Sequence, residues 1–308
     1  MRQDRLWLCS ANCVKRKRRL PIPSLADHPS ASVVKLLNIG ESGTGKTGAL
    51  ASLARAGYSL WVLDYDNGLD IVQTALRDDP AALRRVTYET LRDTVTAVNG
   101  LPKIKPPIHA YKDAGKFLSE WNASAFTPMD ILVLDTLTTF SEAAFNEALQ
   151  LGGRLNQRPQ LQDYGWCADS VKLFIEMITS PELNCHVIVN THIRWFSGDD
   201  EAQTQAKGLP NAKGQEISRV VSRHFNTVTL TRTQGSGPAT KRMISTQPQG
   251  VVEVKTSAPT SVKPTYPIET GLASLFEDIL GHGPQSSPPA KGQAPTAPPT
   301  TKETQTNG

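Results

Sequence analysis

The chain has 308 residues, 38% of them hydrophobic, which allows one large or two small domains with a substantial core. No apolar run approaches the roughly 18 residues that cross a bilayer, and Leu6-Trp7-Leu8 is too short for the apolar centre of a signal peptide. Four cysteines point to a reducing compartment rather than a disulfide framework, so the sequence reads as a soluble cytoplasmic protein without a membrane partner.

The net charge of +4 is unevenly spread. Arg2, Arg5, Lys15, Arg16, Lys17, Arg18 and Arg19 face only Asp4 at the start of the chain, so the remainder is not basic overall. Residues 1–30 read as a basic extension, with Pro21, Pro23 and Pro29 marking a linker. Cys9 and Cys13 have no second Cys or His pair nearby to complete a zinc site. Between Gln203 and Lys263 nine Lys and Arg residues face Glu216 and Glu253, a stretch that is either a polyanion surface or simply solvated.

Residues 33–39 predict a buried strand running into Gly40-Glu41-Ser42-Gly43-Thr44-Gly45-Lys46-Thr47, which fits the pattern G-x-x-x-x-G-K-[ST]. Glycines let such a backbone curl with its N–H groups turned inward around an anion. Lys46 is placed to reach the β- and γ-phosphates of a nucleotide, and the Thr47 hydroxyl to ligate Mg²⁺. Residues 48–56 predict the helix that leaves the loop, closed by Gly57. Strand, loop and helix follow in the order a phosphate site requires.

Residues 59–63 predict a second buried strand, ending at Asp64-Tyr65-Asp66-Asn67-Gly68. Carboxylates at the end of a parallel strand lie where such sheets bind ligands. A short helix over 71–76, an edge strand over 86–89 and a helix over 115–122 follow. Residues 131–135 form a third apolar run ending in Asp135, the form of a Walker B strand whose acid holds Mg²⁺ opposite Thr47. Helices are expected over 139–151 and 163–179, then a fourth strand over 186–192 with polar residues at its end. His192 is the favoured sensor of a γ-phosphate there, with Asn190 and Thr191 behind it, although a strand-end histidine can equally be a plain surface residue.

Residues 195–214 are polar and glycine-containing and read as a mobile loop. A short helix over 216–222, β-prone runs over 225–231, 241–245 and 251–255, and an amphipathic helix over 272–280 complete the pattern. Domain boundaries follow: a flexible extension at 1–30, a nucleotide-binding domain at 31–282, and a Pro/Thr/Gln-rich tail at 283–308 too poor in apolar residues to fold. Strands alternating with helices around a phosphate loop predict an α/β fold, a mostly parallel sheet flanked by helices, with a short β extension near the C-terminus.

Asp135 is followed by Thr136, so the Asp-Glu pair of many helicases and AAA+ motors is missing, and no Leu-Ser-Gly-Gly segment of the transporter type occurs. Residues 33–280 instead resemble the RecA-like group, and more closely the phage-encoded ATP-binding proteins made of the RecA-like core alone, some of which act in recombination or single-strand annealing. The resemblance rests on residues 40–47, Ala56-Gly57-Tyr58, Leu63-Asp64-Tyr65-Asp66-Asn67-Gly68, Leu134-Asp135-Thr136 and Asn190-Thr191-His192. It implies an ATPase with ATP and Mg²⁺ as ligands, assembly with copies of itself, and engagement of single-stranded DNA through mobile loops such as 195–214, in the host cytoplasm. Asp66 matches the acid that activates water, with Asp in place of Glu and one extra residue before the glycine. Lys46, Asp66, Asp135 and His192 are then the catalytic set, and Arg219, Arg223, Arg232, Lys241 or Arg242 the candidates for a cation supplied by a neighbouring subunit. Two alternatives stand beside this reading: a slow nucleotide-dependent switch or scaffold acting through a protein partner, and a phosphotransferase, disfavoured because no arginine-rich lid is present.

Overall fold

A computed structural model describes residues 32–196, 207–235, 237–248 and 250–281; the basic extension at 1–30 and the tail at 283–308 lie outside the described residues. The chain begins with β1 (Lys35–Gly40), buried along its whole length, and turns through the glycine loop into α1 (Leu50–Arg55). β2 (Ser59–Asp64) follows, then α2 (Asp70–Ala75), α3 (Pro80–Leu83) and β3 (Val86–Thr90). A small hairpin of β4 (Val95–Val98) and β5 (Leu101–Ile104) leads to α4 (Ala110–Glu120). Next come β6 (Asp130–Asp135), α5 (Leu137–Leu151), α6 (Leu161–Thr179) and β7 (His186–Thr191). After β7, β8 (Ile193–Phe196) pairs with β9 (Lys207–Pro210), ahead of α7 (Gln215–Val220). β10 (Thr227–Gln234), β11 (Lys241–Ser245), β12 (Thr265–Pro267) and α8 (Gly271–Leu280) end the described chain.

The main sheet has the order β12-β11-β10-β1-β7-β6-β2-β3. From β10 to β3 every neighbouring pair is parallel, while β11 and β12 add on antiparallel. Parallel strands are covered on both faces, which is why they read as unbroken apolar runs in sequence. Side chains nevertheless divide with period two. Leu36, Leu60, Val62, Ile131, Val133 and Ile188 face one core with α1 and α8. Leu37, Leu63, Leu132, Leu134, Val187 and Val189 face the other, against α4, α5 and α6. Phe140 of α5 meets Phe174 of α6 with ring centroids 4.5 Å apart. β7 thus lies between β1 and β6, and sets the spacing between the loop after β1 and the acid at the end of β6.

Several expectations need correction. The helix expected over 115–122 begins five residues earlier, at Ala110, where the Asp93 carboxylate accepts from the N–H groups of His109 (2.9 Å) and Ala110 (3.0 Å). The β4–β5 hairpin went unread, although Asn99 and Gly100, at φ 53 and 76, form the Asn-Gly turn that most favours a tight hairpin. Residues 195–214 are not one loop. Lys207–Pro210 pairs antiparallel with Ile193–Phe196, and a Cβ on Gly208 would stand 2.7–2.9 Å from Ile193, Val252 and Trp195, so glycine permits the close packing. Residues 197–206 lie outside the described residues. The run at 251–255 forms no strand, making only isolated bridges from Val252 to Gly208 and from Lys255 to Val228.

His186 opens β7 in the core, packed edge-on against Tyr58 at 5.4 Å and beside Phe276 at 5.0 Å. Its Nδ1 accepts from the Val34 N–H at 2.9 Å, so the neutral ring is needed there, and burial lowers its pKa from 6.5 to about 4. A histidine neutral when folded and protonated when unfolded loses its stabilising contribution as pH falls from 6.5 towards 4. The cost of His186→Asn, measured by urea unfolding, is therefore expected to shrink by roughly 3 kcal/mol between pH 7 and pH 4. A cost independent of pH over that range would show that the ring titrates normally.

Candidate nucleotide site

The glycine loop starts where β1 ends. A Cβ on Gly40 would sit 2.5 Å from the Thr231 carbonyl oxygen, so only glycine lets β10 lie this close to the turn. Gly43 and Gly45 take φ of 75° and 100°, the left-handed region that glycine enters freely. Regular helix begins at Leu50, two residues later than the sequence predicts; residues 45–49 turn through a mixture of four- and three-residue spacings, Ala49 N to Gly45 O at 3.0 Å and Leu50 N to Thr47 O at 3.1 Å. Lys46 is buried, and its Nζ donates to the carbonyls of Gly40 (2.9 Å) and Glu41 (2.8 Å). Burial depresses its pKa, against the pull of Asp135, Asp66 and Glu41. The ammonium is held by neutral partners of the loop itself, a position from which an anion can draw it.

Beside the loop lies a cavity of about 530 Å³, within the range of small-ligand sites. Lys46, Asp66, His192, Ile71, Arg242 and Ile268 are among its lining side chains. Asp66, His192, Lys46 and the loop glycines, separate in sequence, therefore share one space.

Asp135 lies behind two of the residues that line this cavity, Thr47 and Thr136, and is 1% exposed. Its Oδ1 accepts from Asn190 Nδ2 at 3.2 Å, while Oδ2 is buried with no hydrogen-bond partner. Burial raises its pKa from 3.8 to about 6, partly opposed by the Thr47 hydroxyl beside it and by Asn190. A row of polar side chains crosses the sheet at this level: Thr229, Asn38, Asn190, Asp135 and Asp64 are successive register partners on β10, β1, β7, β6 and β2. Asn38 Oδ1 accepts from the hydroxyls of Thr229 (3.1 Å) and Thr231 (2.5 Å), and its amide nitrogen donates to Asn190 Oδ1 at 3.1 Å. The carboxylate, which only accepts when ionised, sets the direction of the row: Asn190 turns its nitrogen to Asp135, Asn38 turns its nitrogen to Asn190, and the threonine hydroxyls, able to donate or accept, donate to Asn38 Oδ1. Asp135 Oδ2 has no hydrogen-bond partner. An uncoordinated buried oxygen beside a threonine hydroxyl suits a hard cation that takes its remaining ligands from water and phosphate. The residues present fit Mg²⁺.

Asp66 hangs from the turn after β2, where Asp64 Oδ1 accepts from the Gly68 N–H at 3.3 Å and Asn67 adopts φ 56. Its Oδ1 accepts from Thr139 and, at 3.4 Å, from Thr136, both at the start of α5, and His192 Nε2 stands 3.5 Å from Oδ2. Burial alone would push its pKa up, but the hydrogen bonds from His192, Thr139 and Thr136 outweigh it and hold the carboxyl below the ordinary value. The backbone of His192 is itself pinned: its N–H donates to Thr138 Oγ1 at 3.1 Å and its carbonyl accepts from Asn211 N at 2.8 Å. The β8–β9 hairpin that follows returns to the loop, since the Trp195 indole donates to Glu41 Oε1 at 3.3 Å.

Sequence reasoning missed Asn38, Thr139 and Thr231, and it read Thr136 only as part of the Leu134-Asp135-Thr136 motif, not as a partner of Asp66. Asn38 carried a readable signal, a lone amide inside an apolar strand, and buried amides are hydrogen-bonded. The bonds from Thr136, which caps α5, and from Thr139 carried no local signal, because their partner lies about seventy residues earlier in the chain. Of the candidates for a cation from a neighbour, Arg242 instead lines the cavity of its own chain.

Residues 32–257 match the AAA domain family. The chain belongs to that family. Among solved structures, this AAA domain is similar to a KaiC-like protein of the hyperthermophilic archaeon Pyrococcus horikoshii, at 12% identity over 77% of this chain and 88% of that one, with a TM-score of 0.41. It is also similar to the flagellar accessory protein FlaH of Methanocaldococcus jannaschii, at 12% identity over 77% and 87% of the two chains, with a TM-score of 0.36. No curated protein matches the chain. The AAA domain has an α/β fold, a mostly parallel sheet flanked by helices on both faces. No helix among the described residues is long and apolar enough to cross a membrane.

A carboxylate whose pKa is raised by burial destabilises the folded chain at pH above that value, where it is charged in both states. Asp135→Asn is expected to raise the unfolding free energy of the nucleotide-free protein by about 1–3 kcal/mol above pH 6. The gain should shrink as pH falls from 6 towards 4, because the folded wild-type carboxyl takes up its proton over that range. Thermal and urea unfolding across pH 4–8 check this, and a destabilised variant at neutral pH would contradict the burial argument.

Proposed function

We propose that the protein is a Mg²⁺-dependent ATPase. The observation that carries the reading is the buried, donor-free oxygen of Asp135 beside Thr47, at the mouth of a glycine loop whose lysine is held only by neutral carbonyls. In this reading the loop N–H groups and Lys46 bind the phosphate chain, with residues 40–47 as its cradle. Thr47 and Asp135 would hold Mg²⁺, which would supply positive charge against the negative charge that develops on the phosphates.

Asp66 accepts a hydrogen bond from the attacking water and holds its lone pair towards the γ-phosphorus. Its lowered pKa keeps it ionised at neutral pH but makes it a weak base, so it orients the water more than it deprotonates it. The water oxygen bonds to phosphorus as the bond to the bridging oxygen breaks; that electron pair leaves with ADP, and the water proton passes to the released phosphate. His192 links Asp66 to the β8–β9 hairpin and so couples the site to whatever the hairpin touches.

Single-stranded DNA is the partner this hairpin favours. Arg194 lies 5.1 Å over the Phe196 ring, Trp195 is exposed, and Lys207 is exposed on the opposing strand, a pairing of cations and stacking faces. Recombination or replication in a phage, and assembly with further copies, extend the reading on sequence resemblance.

Lys46→Ala is expected to abolish binding of a fluorescent ATP analogue, whereas Asp66→Asn should bind it and hydrolyse ATP at least about tenfold more slowly. Unaltered binding by the first variant would refute the site; near-wild-type turnover by the second would remove Asp66 from the chemistry. Turnover should also rise with added single-stranded DNA. Slow turnover indifferent to DNA would instead favour a nucleotide-dependent switch acting through a protein.

A further inference from the structure

Besides Lys46, a cation from a distant strand, Arg242, lines the cavity of its own chain. β11 runs back antiparallel to β10, pairing Thr233 with Arg242, and so carries Arg242 to the glycine loop. There its Nε donates to the Gly43 carbonyl at 3.0 Å, and its Cδ stands 3.0 Å from the position of a Cβ on Gly45. Gly45, at φ 100, has none, so the arginine stem lies flat on the loop, and Ile268 Cγ1 stands 3.1 Å from the same Cβ position. The Arg242 carbonyl accepts from Ile268 N at 3.0 Å, which ties β12 to the same place.

Arg242 makes no ion pair among the described residues. Like Lys46, it is held on a neutral carbonyl of the loop. The two cations thus flank one turn of backbone, each bonded to the weaker kind of acceptor, and a phosphate chain would supply the stronger kind. An arginine differs from a lysine here because its planar fork engages two phosphate oxygens at once.

We propose that Arg242 is a phosphate clamp supplied by the chain to its own site, leaving the Gly43 carbonyl to close over the bound nucleotide. The inference rests on the nucleotide reading above and adds to it that the gripping cation needs no neighbouring subunit. β11 and β12 then belong to the site rather than only to the edge of the sheet.

The test is titration of a ribose-labelled fluorescent ATP analogue with Mg²⁺ into the wild type, Arg242→Ala, Arg242→Lys and Lys46→Ala, across a hundredfold range of protein concentration. Arg242→Ala is expected to weaken binding by about tenfold to a hundredfold, and Arg242→Lys to recover only part of it. Wild-type affinity per chain should not change with protein concentration. Because the side chain is exposed, the variants should unfold at the wild-type temperature, which separates lost binding from lost folding. Wild-type affinity in Arg242→Ala while Lys46→Ala fails to bind would overturn the clamp alone. Affinity that appears only as the chains assemble would also overturn it, by placing the cation on a neighbour. Unchanged binding by Lys46→Ala would remove the nucleotide site itself, and the clamp with it.

Discussion

The arrangement depends on a carboxylate buried where water cannot reach it. Asp135 gives one oxygen to Asn190 and has no donor for the other, and a lone charge in such surroundings is costly unless something returns the lost solvation. Nothing local to β6 could hold it there. The position is enforced by the parallel pairing of β6 with β7 and β2, whose apolar faces are closed on both sides, so the strand end cannot swing out to solvent. Folding free energy from the two cores is thereby stored as an unsatisfied oxygen. Residues that conflict with stability in this way cluster where a protein binds its ligand.

Orientation is a separate matter from position, and it is set by the acid itself. An amide can present either its oxygen or its nitrogen, and an ionised carboxylate accepts only, so Asn190 turns its nitrogen to Asp135 and Asn38 turns its nitrogen to Asn190. The hydroxyls on β10, able to donate or accept, end the row by donating to Asn38 Oδ1. β10 thus has two tasks: through Thr229 and Thr231 it completes a hydrogen-bonded row reaching the acid, and through its turn into β11 it returns Arg242 to the loop. The loop, the acid and the arginine come from three distant parts of the chain but are indexed to one another by the register of adjacent strands.

The parts of this that are legible in sequence are those with short-range causes. The order of strand, glycine loop and helix is contiguous, and the apolar runs at 131–135 and 186–191 are long enough to be told from helix by their β-branched content and their polar ends. The edge position of β3 followed from its mixed composition, with Tyr88 and Glu89 among its residues. What escaped had long-range causes or opposing signals. β9 is a short stretch containing glycine and ending in proline, yet it pairs because Gly208 fits against Val252 and Ile193. Residues 251–255 have the composition of a strand but find only single bridges. Arg242 was legible as a basic residue near the site's part of the chain, but whether it served its own site or a neighbour's turned on the antiparallel return of β11, which no local pattern specifies.

One residue, His192, separates β7 from β8, and this economy has a mechanical consequence. An arm joined through a single pinned residue has no slack in which to lose a displacement. Traction on the β8–β9 arm would be delivered at one end to the imidazole against Asp66 and at the other, through the Trp195 indole, to Glu41 in the glycine loop. The arm and the two contacts make a crank with its bearing at Thr138 and Asn211, so a displacement of the arm and a shift of the Asp66 carboxylate are geared together in both directions.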